Sequence, residues 1–253
     1  MKDCNSINTS SEFGMKLNKD NGGKKVDNTL YKQIVGSLMY LTATRLDIMH
    51  IISVISRYME CPTKIHLLAA KRTFWYLQGT KEFGLFYKNG EKSNLFGFID
   101  SDYAGDLDDQ KSTSGYAFMM GAGAISWSSK KQPIVTLLST KAKFVVATTC
   151  ACQAIWLKKI LKEVHFKDDG PTQIYCDNSL AIKLSKNPVL HGQSKHIDVK
   201  YHFLRDLTND GVINLIYNKN EDQITNILTK PLKFLAFKKL RKLLGVCTSN
   251  VLI

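Results

Sequence analysis

The sequence predicts a mixed α/β fold: a mixed sheet with flanking helices, preceded by a small helical connection segment. Three observations lead to this class. Apolar residues recur at helical spacing from position 29 to 79, short β patterns follow from position 84, and helical and strand patterns then alternate to position 217. At 253 residues the chain can bury a full core and form one large or two small domains.

The first part of the chain divides into an arm and three helices. Residues 1–28 are rich in Asn, Ser, Lys, Gly and Asp without periodicity, which predicts a flexible N-terminal arm. Two apolar helical faces follow, and a third helix begins after Thr63 as its cap and ends at Gly79. Because no acids converge on these helices, residues 29–90 are interpreted as scaffold.

The second part of the chain predicts the sheet. Strand patterns occupy 84–88, 95–100, 115–120, 124–128, 172–177 and 212–217, and helical patterns occupy 139–164, 178–186, 197–208 and a stretch from 221. The three strand patterns between 95 and 128 are thus followed by a helix, a strand, two helices, a strand and the helical stretch from 221, an order typical of a mixed sheet with helices on its faces.

Two acids stand at the ends of predicted strands. Asp100 ends the apolar strand that begins near Gly97, and Asp177 ends a second one, with Asn178 or Ser179 placed to start a helix. Carboxyl ends of strands meet at the edge where open sheets bind ligands. These two acids therefore predict a divalent-metal site.

These segments resemble the ribonuclease H domain of copia-type retrotransposon Pol polyproteins. The resemblance runs from about residue 25 to 245, and further motifs that carry it are Lys111-Ser112-Thr113-Ser114-Gly115-Tyr116, Trp127-Ser128-Ser129-Lys130-Lys131-Gln132-Pro133 and Lys195-His196-Ile197-Asp198. It implies a reverse transcriptase connection over 29–90, a ribonuclease H-like domain over 91–232 and a basic amphipathic C-terminal helix and tail over 233–253. It also implies hydrolysis of the RNA strand of RNA–DNA hybrids with Mg²⁺.

The resemblance implies four metal-binding acids, of which this chain keeps two. Asp100 and Asp177 match, whereas Lys143 and Asn226 stand where acids are expected, which gives the four positions a formal charge of −1 instead of about −4. An ammonium about 4 Å from a divalent ion, at a dielectric near 20, is repelled by roughly 8 kcal/mol. We therefore expect a degenerate, catalytically inactive site that binds Mg²⁺ weakly or not at all.

Two residues of this predicted site have alternative interpretations. Lysines on a helix usually form a solvated face, but Lys143 borders an apolar stripe that starts at Phe144, and the resemblance places it inward. His196 would assist proton transfer or product release if the resemblance holds. It is equally compatible with a helix-start histidine bonded to Asp198 or to the backbone.

The charge of the chain suggests an acidic partner. Lys and Arg number 35 against 22 Asp and Glu, a net charge of +13. A phosphate backbone is the simplest partner, and an RNA–DNA hybrid the one that the resemblance implies; a merely soluble basic surface is the alternative. The candidate nucleic-acid-binding residues are Trp127, Lys130, Lys131, Lys195 and Lys200.

Composition also bounds compartment and chemistry. The six cysteines are scattered, so a zinc site is not indicated, and unpaired thiols fit a reducing compartment. The N-terminus lacks the apolar core of a secretory signal, and no apolar run approaches the roughly 18 residues of a membrane span. We therefore expect an intracellular protein of the cytoplasm or nucleus. A Tyr-x-Asp-Asp motif, which polymerisation by a reverse transcriptase needs, does not occur.

A rival interpretation is a non-enzymatic nucleic-acid-binding or protein-interaction protein. Free-standing proteins similar to this segment include secreted effectors of oomycete plant pathogens, which would imply host-protein partners and secretion into a plant host by an unrecognised signal. Arg205-Asp206-Leu207-Thr208 is the nearest approach to an Arg-x-Leu-Arg motif. The basic C-terminal helix could bind a membrane or a partner groove, although such a stripe more often closes its own core.

Overall fold

A computed structural model describes residues 4–19, 22–88, 94–166, 170–186 and 195–248, and for 195–201 it describes the backbone alone. Within these residues the α-helices are α1 (Asn28–Leu41), α2 (Met49–Ile55), α3 (Lys64–Gln78), α4 (Ser139–Glu163), α5 (Ser179–Lys186), α6 (Lys195–Asn209) and α7 (Phe234–Leu243). The strands are β1 (Phe83–Leu85), β2 (Leu95–Ser101), β3 (Thr113–Met120), β4 (Gly123–Lys131), β5 (Thr172–Cys176), β6 (Ile213–Tyr217) and β7 (Val246–Thr248).

The central sheet has the strand order β4-β3-β2-β5-β6. Strands β2, β3 and β4 pair antiparallel, whereas β5 pairs parallel to both β2 and β6. The parallel connections require crossovers, and α4 and the pair α5–α6 supply them. The predicted mixed α/β sheet with flanking helices, in the ribonuclease H-like order, is confirmed.

Two apolar cores lie on the opposite faces of this sheet. Successive side chains of a strand alternate between faces, so that Ala117 and Met119 pack with the helical segment while Phe118 packs with α4. The helical segment brings a buried set of large side chains to the first core, among them Tyr31, Leu38, Ile51 and Tyr76. The sheet is thereby covered on both sides.

A buried polar network joins the helical segment to α7. The Arg45 guanidinium donates from Nε and Nη2 to the two Asp47 carboxylate oxygens, at 3.0 and 2.8 Å, and from Nη1 to the Thr80 carbonyl at 3.0 Å. The Tyr76 hydroxyl also donates to Asp47. It accepts in turn from Arg241 of α7 at 2.8 Å. We call these residues the scaffold cluster.

The N-terminal segment differs from the expected loose arm. Within residues 4–19, Thr9, Ser10, Ser11 and Leu17 are buried. The Tyr58 hydroxyl donates to the Leu17 carbonyl at 2.8 Å, and the Ser10 hydroxyl donates to the Asp47 carbonyl at 3.1 Å. Buried polar groups of the helical segment thus form hydrogen bonds with residues of the N-terminal segment 4–19. The local composition of residues 4–19 does not reveal these contacts.

Other departures concern the ends of the sheet region. The stretch from 221 forms short 3₁₀ helices, Asn220–Asp222 and Ile224–Leu228, instead of the predicted helix. The first predicted strand, β1, lies outside the central sheet and pairs antiparallel with β7. Helix α7 buries Phe237 and Leu240 in the first core, as expected of a stripe that closes its own domain.

Helix α4 corrects the expectation about apolar length. Among the described residues it is long and apolar enough, by length and composition alone, to cross a membrane. Half of its most apolar window is buried inside the fold, where it packs on the sheet through Phe144, Ala147 and Ala151. A core helix of this kind meets the same criterion of length and composition.

Candidate active site

The two predicted metal-binding acids meet at the carboxyl edge of the sheet. Ile99 of β2 is in register with Cys176 of β5, so Asp100 and Asp177 are the next residues along two parallel, adjacent strands. The Asp100 side chain is fully buried, and 12% of the Asp177 side chain is exposed. The strand ends therefore bring both carboxylates together, as the sequence predicts.

Lys143 of α4 lies between these carboxylates. Its ammonium forms an ion pair and hydrogen bond with Asp100 Oδ1, and Nζ lies 2.7 Å from Asp177 Oδ1. Lys143 is 8% exposed, so the interpretation as a solvated lysine face does not apply to it. We call Asp100, Lys143 and Asp177, with the groups bonded to them, the edge cluster.

Burial and charge oppose each other in the pKa values of this cluster. Burial disfavours the charged Lys143, but the Asp100 charge and the hydrogen bonds of Asp100 and Asp177 outweigh it, so the pKa of Lys143 is raised. Burial likewise disfavours a charged Asp100. The charges of Lys143 and Lys230, with the hydrogen bonds of Lys143 and Thr229, outweigh that effect and lower the pKa of Asp100. Both groups are therefore ionised at neutral pH.

Thr229 completes the cluster, a role that the sequence did not predict. Its hydroxyl donates to Asp100 Oδ2. The Thr229 side chain can approach Asp100 because the residue paired with Asp100 in β3 is Gly115, which has no side chain. A Cβ on Gly115 would lie 2.8 Å from Leu228 Cβ and 2.9 Å from Thr229 Cγ2. Lys230 adds a second positive charge, with Nζ 3.8 Å from Asp100 Oδ2.

Asn226 is buried in the 3₁₀ helix beside the cluster, where the resemblance places a fourth acid. Its amide Nδ2 donates to the carbonyl oxygen and to Oδ1 of Asn220, at 2.8 and 3.2 Å. Its own Oδ1 is buried without a hydrogen-bond partner. The Asn226 side chain thus bonds to the first residue of the preceding 3₁₀ helix and supplies no negative charge to the edge cluster.

Three other acids lie outside the contacts of the edge cluster. Burial raises the pKa of Asp102 to about 6, against the effect of the hydrogen bond that it accepts from the Thr113 N–H at 2.6 Å. Asp106 forms an ion pair with Arg57 at 2.8 Å, and Glu221 is exposed in a 3₁₀ helix. None of them replaces the missing acids at Asp100.

The edge cluster does not fit a divalent metal. An ammonium already contacts both carboxylates, and the formal charge of these three side chains is −1. Among the described residues, moreover, there is no group of three or more His, Cys, Asp or Glu side chains that could hold a metal ion. Hard divalent cations bind several oxygen ligands, commonly carboxylates, and this site offers a competing cation in their place.

The predicted nucleic-acid-binding residues that the structure describes have different surroundings. Trp127 donates from Nε1 to the Thr42 carbonyl at 3.0 Å and packs against the first core. Its neighbours on β4 differ from each other, since Lys130 is exposed whereas Lys131 pairs with Asp106 and Asp109 at 3.1 and 3.0 Å. The backbone of Lys195, His196 and Lys200 lies in α6, but their side chains lie outside the described residues.

Comparison with curated proteins finds related sequences along most of the chain. It is 41% identical over 231 residues to the retrovirus-related Pol polyprotein from transposon RE1 of Arabidopsis thaliana, a match that covers 91% of this chain and 16% of that protein. The corresponding protein from transposon TNT 1-94 of Nicotiana tabacum is 40% identical over 219 residues, which cover 85% and 16%. The chain thus spans about one sixth of the length of these relatives.

A shorter relative matches about half of the chain. The secreted RxLR effector protein 161 of Plasmopara viticola is 38% identical over 131 residues, and the match covers 51% of this chain and 92% of that protein. No family model matches the chain.

Solved structures give weaker likenesses. The N-terminal ribonuclease H domain of Rv2228c from Mycobacterium tuberculosis, solved as a fusion with maltose-binding protein, is 10% identical, with a TM-score of 0.41 and coverage of 59% of this chain and 97% of that one. The foamy viral protease-reverse transcriptase in complex with RNA/DNA hybrid is 14% identical, with a TM-score of 0.48 and coverage of 78% and 25%. Since both scores lie below 0.5, the fold is assigned from the strand order of the sheet itself.

Proposed function

The chain belongs to the family of retrovirus-related Pol polyproteins of copia-type transposons, and from this premise we propose that it is a ribonuclease H-type remnant that no longer cleaves RNA. One observation carries the proposal: the Lys143 ammonium contacts both Asp100 and Asp177, the two acids left at the strand ends. The ancestral reaction would be hydrolysis of the RNA strand of an RNA–DNA hybrid.

The chemistry of an ammonium explains why cleavage would be lost. Two-metal nucleases stabilise both the attacking water and the leaving oxygen with divalent ions, and a metal also lowers the pKa of its bound water. Lys143 offsets one of the two carboxylate charges, and its own charge is shared between a hydrogen-bonded ion pair with Asp100 and an ion pair with Asp177 in a buried position. The ammonium therefore stabilises the fold at this edge without supplying an activated water.

A gel assay on a labelled RNA–DNA hybrid tests the loss of activity. We expect no cleavage by the wild type and weak cleavage by the double variant Lys143→Glu with Asn226→Asp, because the strand-end geometry of Asp100 and Asp177 is retained. The matched control adds Asp177→Asn to the double variant and should abolish that cleavage. Cleavage by the wild type that Asp177→Asn removes would refute the proposal.

We further propose that the remnant binds nucleic acid, an RNA–DNA hybrid above all, through its excess positive charge of +13. Neutralised phosphates release counterions, so affinity should fall steeply as salt rises. Lys130→Ala should reduce the salt slope by about 1, because the exposed ammonium is free to contact a phosphate. Lys131→Ala is the matched control, since the Lys131 ammonium is paired with Asp106 and Asp109.

A fluorescent hybrid titrated between about 50 and 200 mM salt measures this slope. Absence of binding at the lowest salt would assign the basic surface to another use. We place this activity in the cytoplasm or nucleus, in line with the scattered unpaired cysteines. Imaging of the tagged chain in cells tests that location.

One observation favours a second candidate function, that of an interaction protein. The match to the Plasmopara viticola effector covers 92% of that protein, so a segment of this kind can exist as a separate protein. We propose host proteins as partners in that case. A reproducible phenotype on expression in plant cells, unchanged by the double reversion at positions 143 and 226 and accompanied by no cleavage, would favour this function over the enzymatic remnant.

A further inference from the structure

A cavity of about 310 Å³ lies beside the edge cluster, between three parts of the chain. One wall is the N-terminal segment at 13–17, a second is α2 with its following turn, and a third is the loop after β2. Thr229 and Lys230 separate the cavity from Asp100. Its volume lies at the lower end of the range of small-ligand sites.

The floor of this cavity is a set of polar groups that already satisfy one another. Arg57 donates to Asp106 at 2.8 Å and to the Thr113 hydroxyl at 3.0 Å, while Asp102 accepts from the Thr113 N–H. His50 is buried here, and burial lowers its pKa to about 3. The polar groups of the floor are therefore engaged with one another and the imidazole is neutral, so the groups available to a ligand are those at the mouth.

The mouth combines exposed aromatic rings with lysines. Phe13 is 60% exposed and Tyr103 is 56% exposed, although both line the cavity. The Tyr103 ring is held by a hydrogen bond from its hydroxyl to the Leu137 carbonyl at 3.0 Å. Phe13 stands on a turn closed by the hydrogen bond from the Met15 N–H to the Glu12 carbonyl at 3.1 Å.

Gly14 lets that turn form, because its φ of +78° lies in the left-handed region that residues with a Cβ rarely adopt. Lys16 and Lys230 also line the cavity, and Lys233 Nζ lies 5.4 Å from the centre of the Phe13 ring. The charged side chains of the lining, Lys16, Arg57, Asp102, Asp106 and Lys230, carry a net charge of +1.

We propose that this cavity binds a single nucleotide unit, with the base stacked on the mouth aromatics and the phosphate on Lys16 and Lys230. Aromatic side chains stack on every nucleobase, and neighbouring lysines attract the phosphate, so one planar anionic ligand satisfies both features of the mouth. The unit is either a free mononucleotide or the unpaired end of a strand. The site does not depend on cleavage or on binding of the hybrid duplex.

Fluorescence anisotropy of labelled AMP, added to the full chain at low salt, tests the proposal. We expect saturable binding that Phe13→Ala weakens at least fivefold, the lower bound expected from the loss of one stacking ring. Lys16→Ala should weaken it further and reduce its salt dependence. The matched control is Tyr40→Ala with Lys32→Ala, which removes an exposed ring and an exposed lysine of α1 and should leave affinity unchanged.

Competition identifies the ligand chemistry. Unlabelled AMP should displace the probe at concentrations at which neither adenosine nor inorganic phosphate does. Displacement by phosphate alone at equal concentration, or equal binding by the wild type and the Phe13→Ala variant, would overturn the proposal. A hybrid with a one-nucleotide overhang that competes better than a blunt hybrid assigns the site to strand ends, and equal competition by the two hybrids assigns it to free nucleotides.

Discussion

Two of the buried ion-pair clusters among the described residues, the scaffold cluster and the edge cluster, balance buried carboxylates with different cations. In the scaffold cluster, a planar guanidinium meets the Asp47 carboxylate with two parallel hydrogen bonds, and Thr80 and Tyr76 satisfy further donors and acceptors. In the edge cluster, one ammonium serves two carboxylates from different strands. Arginine matches a carboxylate bidentately, whereas lysine acts as a point charge.

The two clusters differ in whether another cation could replace the one that they hold. Asp47 is a single acid whose partners come from the helical segment and, through Tyr76, from α7, so its role is to join elements of the scaffold. Asp100 and Asp177 converge because parallel strands end side by side, which is a geometry suited to holding any cation. We therefore infer that the cation of the edge cluster is replaceable and that of the scaffold cluster is not.

The largest effect on stability is expected in the scaffold cluster. Arg45→Met removes the bonds to Asp47 and Thr80 and leaves the Asp47 carboxylate buried without its cation. The free energy of unfolding should fall by about 3–5 kcal/mol, as is typical when one partner of a buried pair is lost. Urea unfolding measures it, with the exposed Lys32→Met as control. A loss below about 1 kcal/mol would contradict the assigned role.

A somewhat smaller loss, about 3 kcal/mol, is expected for Lys143→Met, because Asp177 is partly exposed and water can reach it. This variant also tests the difference between the edge cluster and the scaffold cluster. Mg²⁺ should restore part of the stability of this variant, about 1.4 kcal/mol when its concentration is ten times the dissociation constant. The same Mg²⁺ should leave Arg45→Met unchanged, and equal recovery of both variants would show that the two clusters do not differ.

His50 sharpens the comparison, because burial keeps its imidazole neutral whereas each cluster is built on an ion pair. Burial, assisted by the charge of Arg57, lowers its pKa to about 3. The unfolded chain binds a proton near pH 6.5, so this contribution to stability is present above pH 6.5 and is lost as the pH falls towards 3. Between pH 7 and 5 the wild type should lose about 2 kcal/mol more than His50→Gln does. If urea unfolding gave the wild type and His50→Gln the same change in the free energy of unfolding between pH 7 and 5, His50 would not be a buried neutral histidine.

The sequence predicted the parts of the fold that depend on local patterns. The strand ends of Asp100 and Asp177, and the inward position of Lys143, follow from apolar periodicity together with the family motifs, and the structure has all three. Thr229 was missed, because its contact with Asp100 depends on the space left by Gly115, more than a hundred residues earlier in the chain. The only local sequence signal for a role of Thr229 was its position three residues after Asn226.

Other differences arise from tertiary contacts as well. Nothing in the composition of residues 4–19 predicts that their carbonyls serve the buried Tyr58 and His66 side chains. Trp127 was predicted to bind nucleic acid beside two lysines, yet its ring packs against the first core, its Nε1 donates to the Thr42 carbonyl, and α2 packs on β4. Lys130 and Lys131 are adjacent in sequence, but the alternation along a strand sends them to opposite faces.

We propose that Lys143 keeps divalent metal from the edge of the sheet, and calorimetric titration with Mg²⁺ and Mn²⁺ tests this most directly. The wild type should bind either ion weakly, without saturation below the millimolar range, because the ammonium already occupies the space between Asp100 and Asp177. Lys143→Glu with Asn226→Asp should bind at least tenfold more tightly. Micromolar binding of two ions by the wild type would contradict the claim.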